Sequence, residues 1–287
     1  MQPGRVEIRL IVIGLALAVA PMRAWAVRKE PAHVQASLII ETTSIQPGRP
    51  CQAALRLTMD PGWHTYWLNP GDAGLPTTMK WRLPEGFRAE AFQWPYPMKI
   101  ALPEVVSYGY ADEVFLLSRI EVPSSVTPGQ TLTLGGRAEW LECGELCVKG
   151  AADVSAEIPV SEELPQPDPM WVDAFATTRA KLPRPLQGWS ARAINRNQAI
   201  LVELTPMEPS QAIPEAMMCF PEEQGLIDHA MPQQLTRTGD RLTLELVKSR
   251  YLTAQPSRLR GVLVVQNGSG AAGPDAAYQL DVPVEAR

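Results

Sequence analysis

The chain has 287 residues, a formal net charge of −5, 45% hydrophobic and 20% charged residues. This is an ordinary globular balance, long enough for two domains, and its mild acidity argues against a phosphate-backbone partner. Twenty-eight prolines point to many turns and short strands rather than long helices.

In chain order, the first element is a targeting segment. Arg5 and Arg9 form a positive region, Leu10 to Val19 is an apolar run, and Ala24-Trp25-Ala26 fits a small-x-small cleavage site near Ala26. The run is short for a membrane span. Residues 1–26 are therefore read as a signal peptide of an exported protein, with a retained anchor as the alternative. No Cys stands at the cleavage point, so no lipid anchor is expected. Losing Arg5, Glu7, Arg9 and Arg23 takes the formal charge from −5 to −7. No second apolar stretch reaches spanning length, so a soluble mature chain without a membrane span is expected.

From Val34 onward, short alternating segments predict strands that are buried on one face. Examples are Val34, Ala36, Leu38 and Ile40, then Ala53, Leu55, Leu57 and Met59, then Leu132 and Leu134. Pro47-Gly48, Pro61-Gly62, Pro70-Gly71, Pro84-Glu85-Gly86 and Pro128-Gly129 punctuate them as turns. The texture changes near residue 161. Glu162 to Pro169 reads as an acidic, Pro-rich linker, and Asp168-Pro169 as the start of a short helix. Trp171, Phe175 and Arg179 share one face of it, and Pro183 and Pro185 stop it near Leu182. This helix is expected to pack between two domains. Ala199 to Leu204, Leu242 to Leu246 and Gly261 to Val265 are further strands. Thr238-Gly239-Asp240 reads as a hairpin turn and Asn267 to Gly273 as a flexible loop. The expected architecture is all-β: two immunoglobulin-like β-sandwiches, 34–163 and 186–287, joined by a linker at 164–185 that carries the helix.

The chemistry centres on Cys143 and Cys147. On a straight strand, positions four apart lie roughly 13 Å from each other, too far for a bridge. A three-residue turn through Gly144, or one helical turn, brings them into range. A bond closing so small a loop removes little unfolded-state entropy, which suits a bond that is made and broken. The competing reading is a structural bond, since most disulfides of exported proteins are structural. Glu142 and Glu145 flank the pair. They either disfavour thiolate or are solvated turn positions. A zinc site needs two more ligands, and His33, His64 and His229 show no ligand spacing. Cys51 and Cys219 either bridge the two sandwiches or are buried free thiols. Met217, Met218, Cys219, His229 and Met231 have soft-ligand character, which leaves Cu(I) handling as a weak candidate, although Met in strands is more often core filler. No cofactor is indicated.

The segment Pro61-Gly62-Trp63-His64-Thr65-Tyr66-Trp67, followed by Asn69-Pro70-Gly71-Asp72-Ala73-Gly74-Leu75-Pro76, resembles the periplasmic N-terminal region of DsbD/ScsB-type disulfide reductases. So do Trp94-Pro95-Tyr96-Pro97, Gly109-Tyr110 and Trp140-Leu141-Glu142-Cys143-Gly144-Glu145-Leu146-Cys147. Phe220-Pro221, Gly225 to Ala230 and Pro232-Gln233 resemble the second part of the longer ScsB-like version. The resemblance covers most of residues 34–235.

It implies a redox-active disulfide at Cys143 and Cys147, which takes electrons from a thioredoxin-like domain. The family passes them to periplasmic oxidoreductases or cytochrome-maturation factors. It does not say which cysteine is attacked first. It also implies a cap over the disulfide, at Glu104 to Gly109. Ser107 stands there in place of the family's Phe, with Tyr108 as the shielding candidate. Tyr110, Trp67 and His64, with Tyr66 and Trp63 beside them, are groove candidates, against the alternative that strand aromatics pack the core. Full-length family members continue into a multi-span membrane domain and a thioredoxin-like domain. This sequence ends at Arg287, so the expected donor is a thioredoxin-like domain or membrane protein on another chain, and the expected substrates are exported disulfide-bearing proteins.

Overall fold

The computed structural model describes residues 32–102, 105–208, 213–266 and 276–286. The signal-peptide segment, Glu104 and the loop expected at Asn267 to Gly273 lie outside the described residues.

The first half contains β1 (Val34–Ile40), β2 (Cys51–Met59), β3 (His64–Gly71), β4 (Thr78–Arg82), β5 (Arg88–Ala89), β6 (Met98–Ala101), β7 (Val106–Ala111), β8 (Glu113–Glu121), β9 (Thr131–Cys143) and β10 (Cys147–Pro159). One sheet runs β1-β2-β8-β5. The other runs β10-β9-β3-β7-β6, with β4 also paired to β9. The alternating residues face inward as the period-two pattern requires. Leu38, Leu55, Leu57, Leu116, Ile120, Leu134 and Ile158 share one core with Trp67 and Tyr108.

Strand β8 departs from alternation. Val114 to Ser118 are buried without a break because both faces of its sheet are covered. The inner face meets the core. On the outer face Ala54, Phe115 and Leu117 receive Phe175 of α1 (Val172–Ala180). Phe175 is fully buried, worth roughly 1.5–3 kcal/mol of apolar transfer. Trp171 and Arg179 lie on the same helical face, with Trp171 against Phe115 and the Arg179 guanidinium over Phe175. Two expectations are corrected here. The helix packs on the outside of the first sandwich, not between the two. It also starts later, because Asp168 first forms a turn: its Oδ1 accepts the Met170 N–H at 2.9 Å and its carbonyl accepts from Trp171 and Val172. The preceding linker is tied down as well, with Thr43 N–H on the Gln166 carbonyl and Asp168 N–H on the Glu41 carbonyl.

The second half contains β11 (Arg184–Pro185), β12 (Trp189–Asn195), β13 (Ala199–Pro206), β14 (Ala216–Pro221), β15 (Gln234–Thr238), β16 (Arg241–Val247), β17 (Arg258–Gln266) and β18 (Ala276–Ala286). The order is β14-β17-β18-β12-β13-β16-β15, with β11 on β18. β18 is the corner: it pairs antiparallel with β17 through Pro283 and parallel with β12 from Val284. The path thus folds over a core of Ile200, Val202, Leu204, Leu242, Leu244, Leu246, Leu263 and Cys219. The β15–β16 hairpin closes at Gly239-Asp240, between the paired Thr238 and Arg241. The molecule is all-β, built from two immunoglobulin-like sandwiches.

The sandwiches meet through β14. Alternation sends Met217 and Cys219 into the second core, while Met218 and Phe220 join the first. Phe220 stands edge-on to Trp67 and Tyr108, at centroid distances of 6.2 and 4.8 Å.

Candidate redox site

Strands β9 and β10 form a long hairpin in which thirteen residue pairs are in register, ending at Cys143 opposite Cys147. Gly144-Glu145-Leu146 make the turn, with the Gly144 N–H donating to the Leu146 carbonyl at 3.0 Å. The Cα atoms of the two cysteines are 4.1 Å apart and their sulfurs are bonded. Of the two local geometries open to the sequence, the turn is the one used. Gly144 is needed there because its Cα lies against Trp63: a Cβ would stand 2.9 Å from the indole.

The two sulfurs are not equivalent. Cys143 is 1% exposed, whereas Cys147 is exposed, flanked by exposed Glu145 and Leu146. Tyr66 Oη donates to Cys143 Sγ at 2.8 Å and stands 3.9 Å from Cys147 Sγ. Burial pushes the Tyr66 phenol above its ordinary value, so the hydroxyl remains a donor. His64 lies directly across from Cys143 in the β3–β9 pairing. Its ring is edge-on to Tyr66 at 5.2 Å, and its Nε2 is buried without a hydrogen-bond partner. Burial pushes His64 below its ordinary value, which keeps it neutral.

Glu142 corrects another expectation. Glu145 is solvated, but Glu142 is 2% exposed. Trp140 Nε1 donates to its Oε2 at 2.8 Å and the His33 N–H to its Oε1 at 3.2 Å. His33 is stacked on Trp63 at 3.7 Å and reaches Asp60 through Nδ1 at 3.1 Å. The turn end of the hairpin is thus gripped by the start of the described chain and by the segment that leads into β3.

Of the cap and groove candidates, His64 and Tyr66 stand beside the disulfide, and Trp63 lies against its turn glycine. The stretch assigned to a cap is largely strand β7, paired with β3 and β6. Tyr108 is turned towards the second sandwich, with its hydroxyl 2.9 Å from His229 Nδ1 and its ring against Phe220 and His229. Tyr110 donates to the Pro95 carbonyl at 2.7 Å. Trp67 is 1% exposed and packs on Phe220. The residue that does touch the sulfurs, Tyr66, shares the face of His64 by period two. That spacing is the signal that sets His64 and Tyr66 apart from the other groove candidates, once His64 is known to oppose Cys143.

The soft-ligand candidates are dispersed. Cys219 is fully buried in the second core, Met218 faces the first, Met231 is exposed, and His229 is engaged by Tyr108. Among the described residues no group of three or more His, Cys, Asp or Glu is placed to hold a metal ion. Cys51 and Cys219 are free and buried, so they do not bridge the sandwiches. Burial pushes both thiols up to about 12.

Residues 35–159 match the family of the thiol:disulfide interchange protein DsbD, N-terminal. The chain is also similar to the N-terminal periplasmic domain of ScsB from Proteus mirabilis, at 20% identity over 90% of this chain and 95% of that one, with a TM-score of 0.58. A protein of unknown function from Porphyromonas gingivalis W83 (11% identity, 88% of this chain, 100% of that one, TM-score 0.25) is far less similar. So is the sporulation control protein Spo0M from Bacillus subtilis (8%, 88%, 91%, TM-score 0.22). No curated protein sequence matches. Residues 35–159, which carry the disulfide at the turn of the β9–β10 hairpin, are similar to the DsbD N-terminal family, and the chain as a whole shares the fold of the ScsB periplasmic domain.

Proposed function

We propose that this protein is a periplasmic thiol–disulfide exchange module working through Cys143 and Cys147. The observation that carries this reading is the asymmetry of the bond: one sulfur exposed, the other buried under a phenolic donor. A partner thiolate attacks Cys147 Sγ, the S–S bond breaks, and the electron pair leaves on Cys143. The Tyr66 hydroxyl is placed to stabilise the thiolate that forms there, and a hydrogen bond to a charged group is worth roughly 1.5–3 kcal/mol. The partner's second thiol then resolves the mixed disulfide and leaves a Cys143/Cys147 dithiol. That dithiol reduces the next substrate by the reverse chemistry.

The donor fitting this role is a thioredoxin-like domain or membrane protein on another chain. The acceptors are exported oxidoreductases, cytochrome-maturation factors or other disulfide-bearing proteins. No helix among the described residues is long and apolar enough to cross a membrane. A purely structural bond fits less well, since closing a loop with a sequence separation of 4 contributes only about 2 kcal/mol.

The test is to equilibrate the purified protein in graded glutathione or dithiothreitol buffers, trap free thiols and map them. Cys143 and Cys147 are expected to titrate together between roughly −120 and −270 mV. A pair that stays bridged well below about −300 mV is structural, and the protein is then a binding module. Cys143→Ala leaves Cys147 as a free thiol that attacks an oxidised acceptor's disulfide and, with no Cys143 to resolve the product, is expected to hold that acceptor as a lasting mixed disulfide.

A further inference from the structure

The disulfide belongs wholly to the first sandwich, yet a chain of contacts joins it to the second. Asn69, at 0% exposure, divides its amide between the two. Its Nδ2 donates to the Pro221 carbonyl at 2.8 Å and to the Glu223 carbonyl at 3.2 Å, both in the second sandwich. Its Oδ1 accepts the Gly71 N–H at 3.0 Å. A buried amide in this position satisfies two donors and one acceptor at once.

The segment after Asn69 is then fixed along β7. The Asp72 N–H donates to the Val106 carbonyl, and Asp72 Oδ2 accepts the Val106 N–H, each at 2.9 Å. Ser107 Oγ donates to the Ala73 carbonyl at 3.3 Å. Next comes Gly74, at φ +127, lying so close to the Tyr66 ring that a Cβ would stand 2.3 Å from its carbons. Only glycine combines that backbone angle with that approach. Tyr66 in turn donates to Cys143 Sγ.

We propose that the second sandwich is a positioning clamp for the redox bond. Pro221 and Glu223 hold Asn69, Asn69 holds segment 69–74, and the segment presses Tyr66 onto the sulfur that leaves as thiolate. This rests on the exchange reading above and gives the second sandwich a part in it. Asn69 is a positioning residue, acting through Tyr66 and touching neither sulfur in the exchange.

Dithiothreitol is a sufficient probe. Its thiolate bonds to Cys147 Sγ, the Cys143–Cys147 bond breaks, and the electron pair passes to Cys143. Its second thiol, deprotonated by solvent, then displaces Cys147. The probe ends as a cyclic disulfide and the protein as a dithiol, a two-electron exchange.

The rate and equilibrium of this reduction are measured for the whole protein as wild type, Asn69→Ala, Tyr66→Phe and the double variant. Each single change is expected to slow the reaction about tenfold, as for one lost hydrogen bond to a charged sulfur. The double variant is expected to be no slower than Tyr66→Phe, because coupled residues are not additive. Gly74→Ala attacks the clamp from its other end and gives the same pattern if Asn69→Ala does not fold. The clamp is overturned if the Asn69 and Gly74 variants react within a factor of two of wild type, or if their effects multiply with that of Tyr66→Phe. A wild-type bond that dithiothreitol does not reduce overturns the exchange reading and the clamp together. A reactive wild type with unaffected variants overturns the clamp alone.

Discussion

Cys147 and Cys219 illustrate two fates for a cysteine on a β-strand. Cys147 opens a strand just after a hairpin turn, exposed and bonded to a partner four residues back. Cys219 sits mid-strand in β14, facing a core of Leu, Ile and Val, with its backbone N–H and carbonyl both bonded to the Gln233 side chain. Desolvation pushes its thiol up to about 12, so almost no thiolate forms at neutral pH. Position in the sheet separates an exposed, bonded sulfur from a buried, free one.

The largest effect that sharpens this contrast is Cys147→Ser. It should abolish exchange with any dithiol, whereas Cys219→Ser should leave the exchange rate unchanged; thiol trapping after a dithiothreitol pulse reads both. A comparable loss from Cys219→Ser would break the comparison.

Next in size is Glu142→Ala, which strips an acceptor from Trp140 Nε1 and the His33 N–H. Leaving buried donors unpaired costs roughly 1–3 kcal/mol, to be read as a lower midpoint in urea. An unchanged midpoint would mean that the turn end of the hairpin does not depend on this carboxylate.

A smaller effect comes with acid. Burial lowers both His64 and His229, in the latter against the opposing pull of Asp72 and Asp228. Above about pH 6.5 these rings are neutral folded or unfolded, so they contribute no pH dependence. As pH falls through that value, the unfolded chain takes up protons that the folded one resists, and stability drops. Tm should therefore decline from pH 7.5 to 5.5, and less steeply in His229→Gln. Parallel curves would exclude His229 as a source.

The smallest expected signal is labelling of Cys51 and Cys219 by iodoacetamide in the native oxidised protein. It should be negligible until denaturant is added, as mass mapping would show.

Local pattern carried much of this in the sequence. Leu55, Leu57 and Leu134 were readable as inward positions because alternation is a property of neighbouring residues. The Cys143–Cys147 bridge followed from spacing and a turn glycine. Other features depended on partners far along the chain. Phe175 and Trp171 announced a helical face but not which sheet it would cover. Tyr108 read as a shield, and packs instead against His229, 121 residues away.

The sequence by itself determined the all-β class, the turns, the bonded pair and the likeness to the DsbD N-terminal family, because each is written in short-range order. Only the tertiary structure decided which sulfur is exposed, which tyrosine meets it, and that Asn69 reaches the second sandwich across 152 residues. Those outcomes depend on strand register and sheet-to-sheet docking. Both are fixed by burying two cores at once, and local periodicity does not encode them.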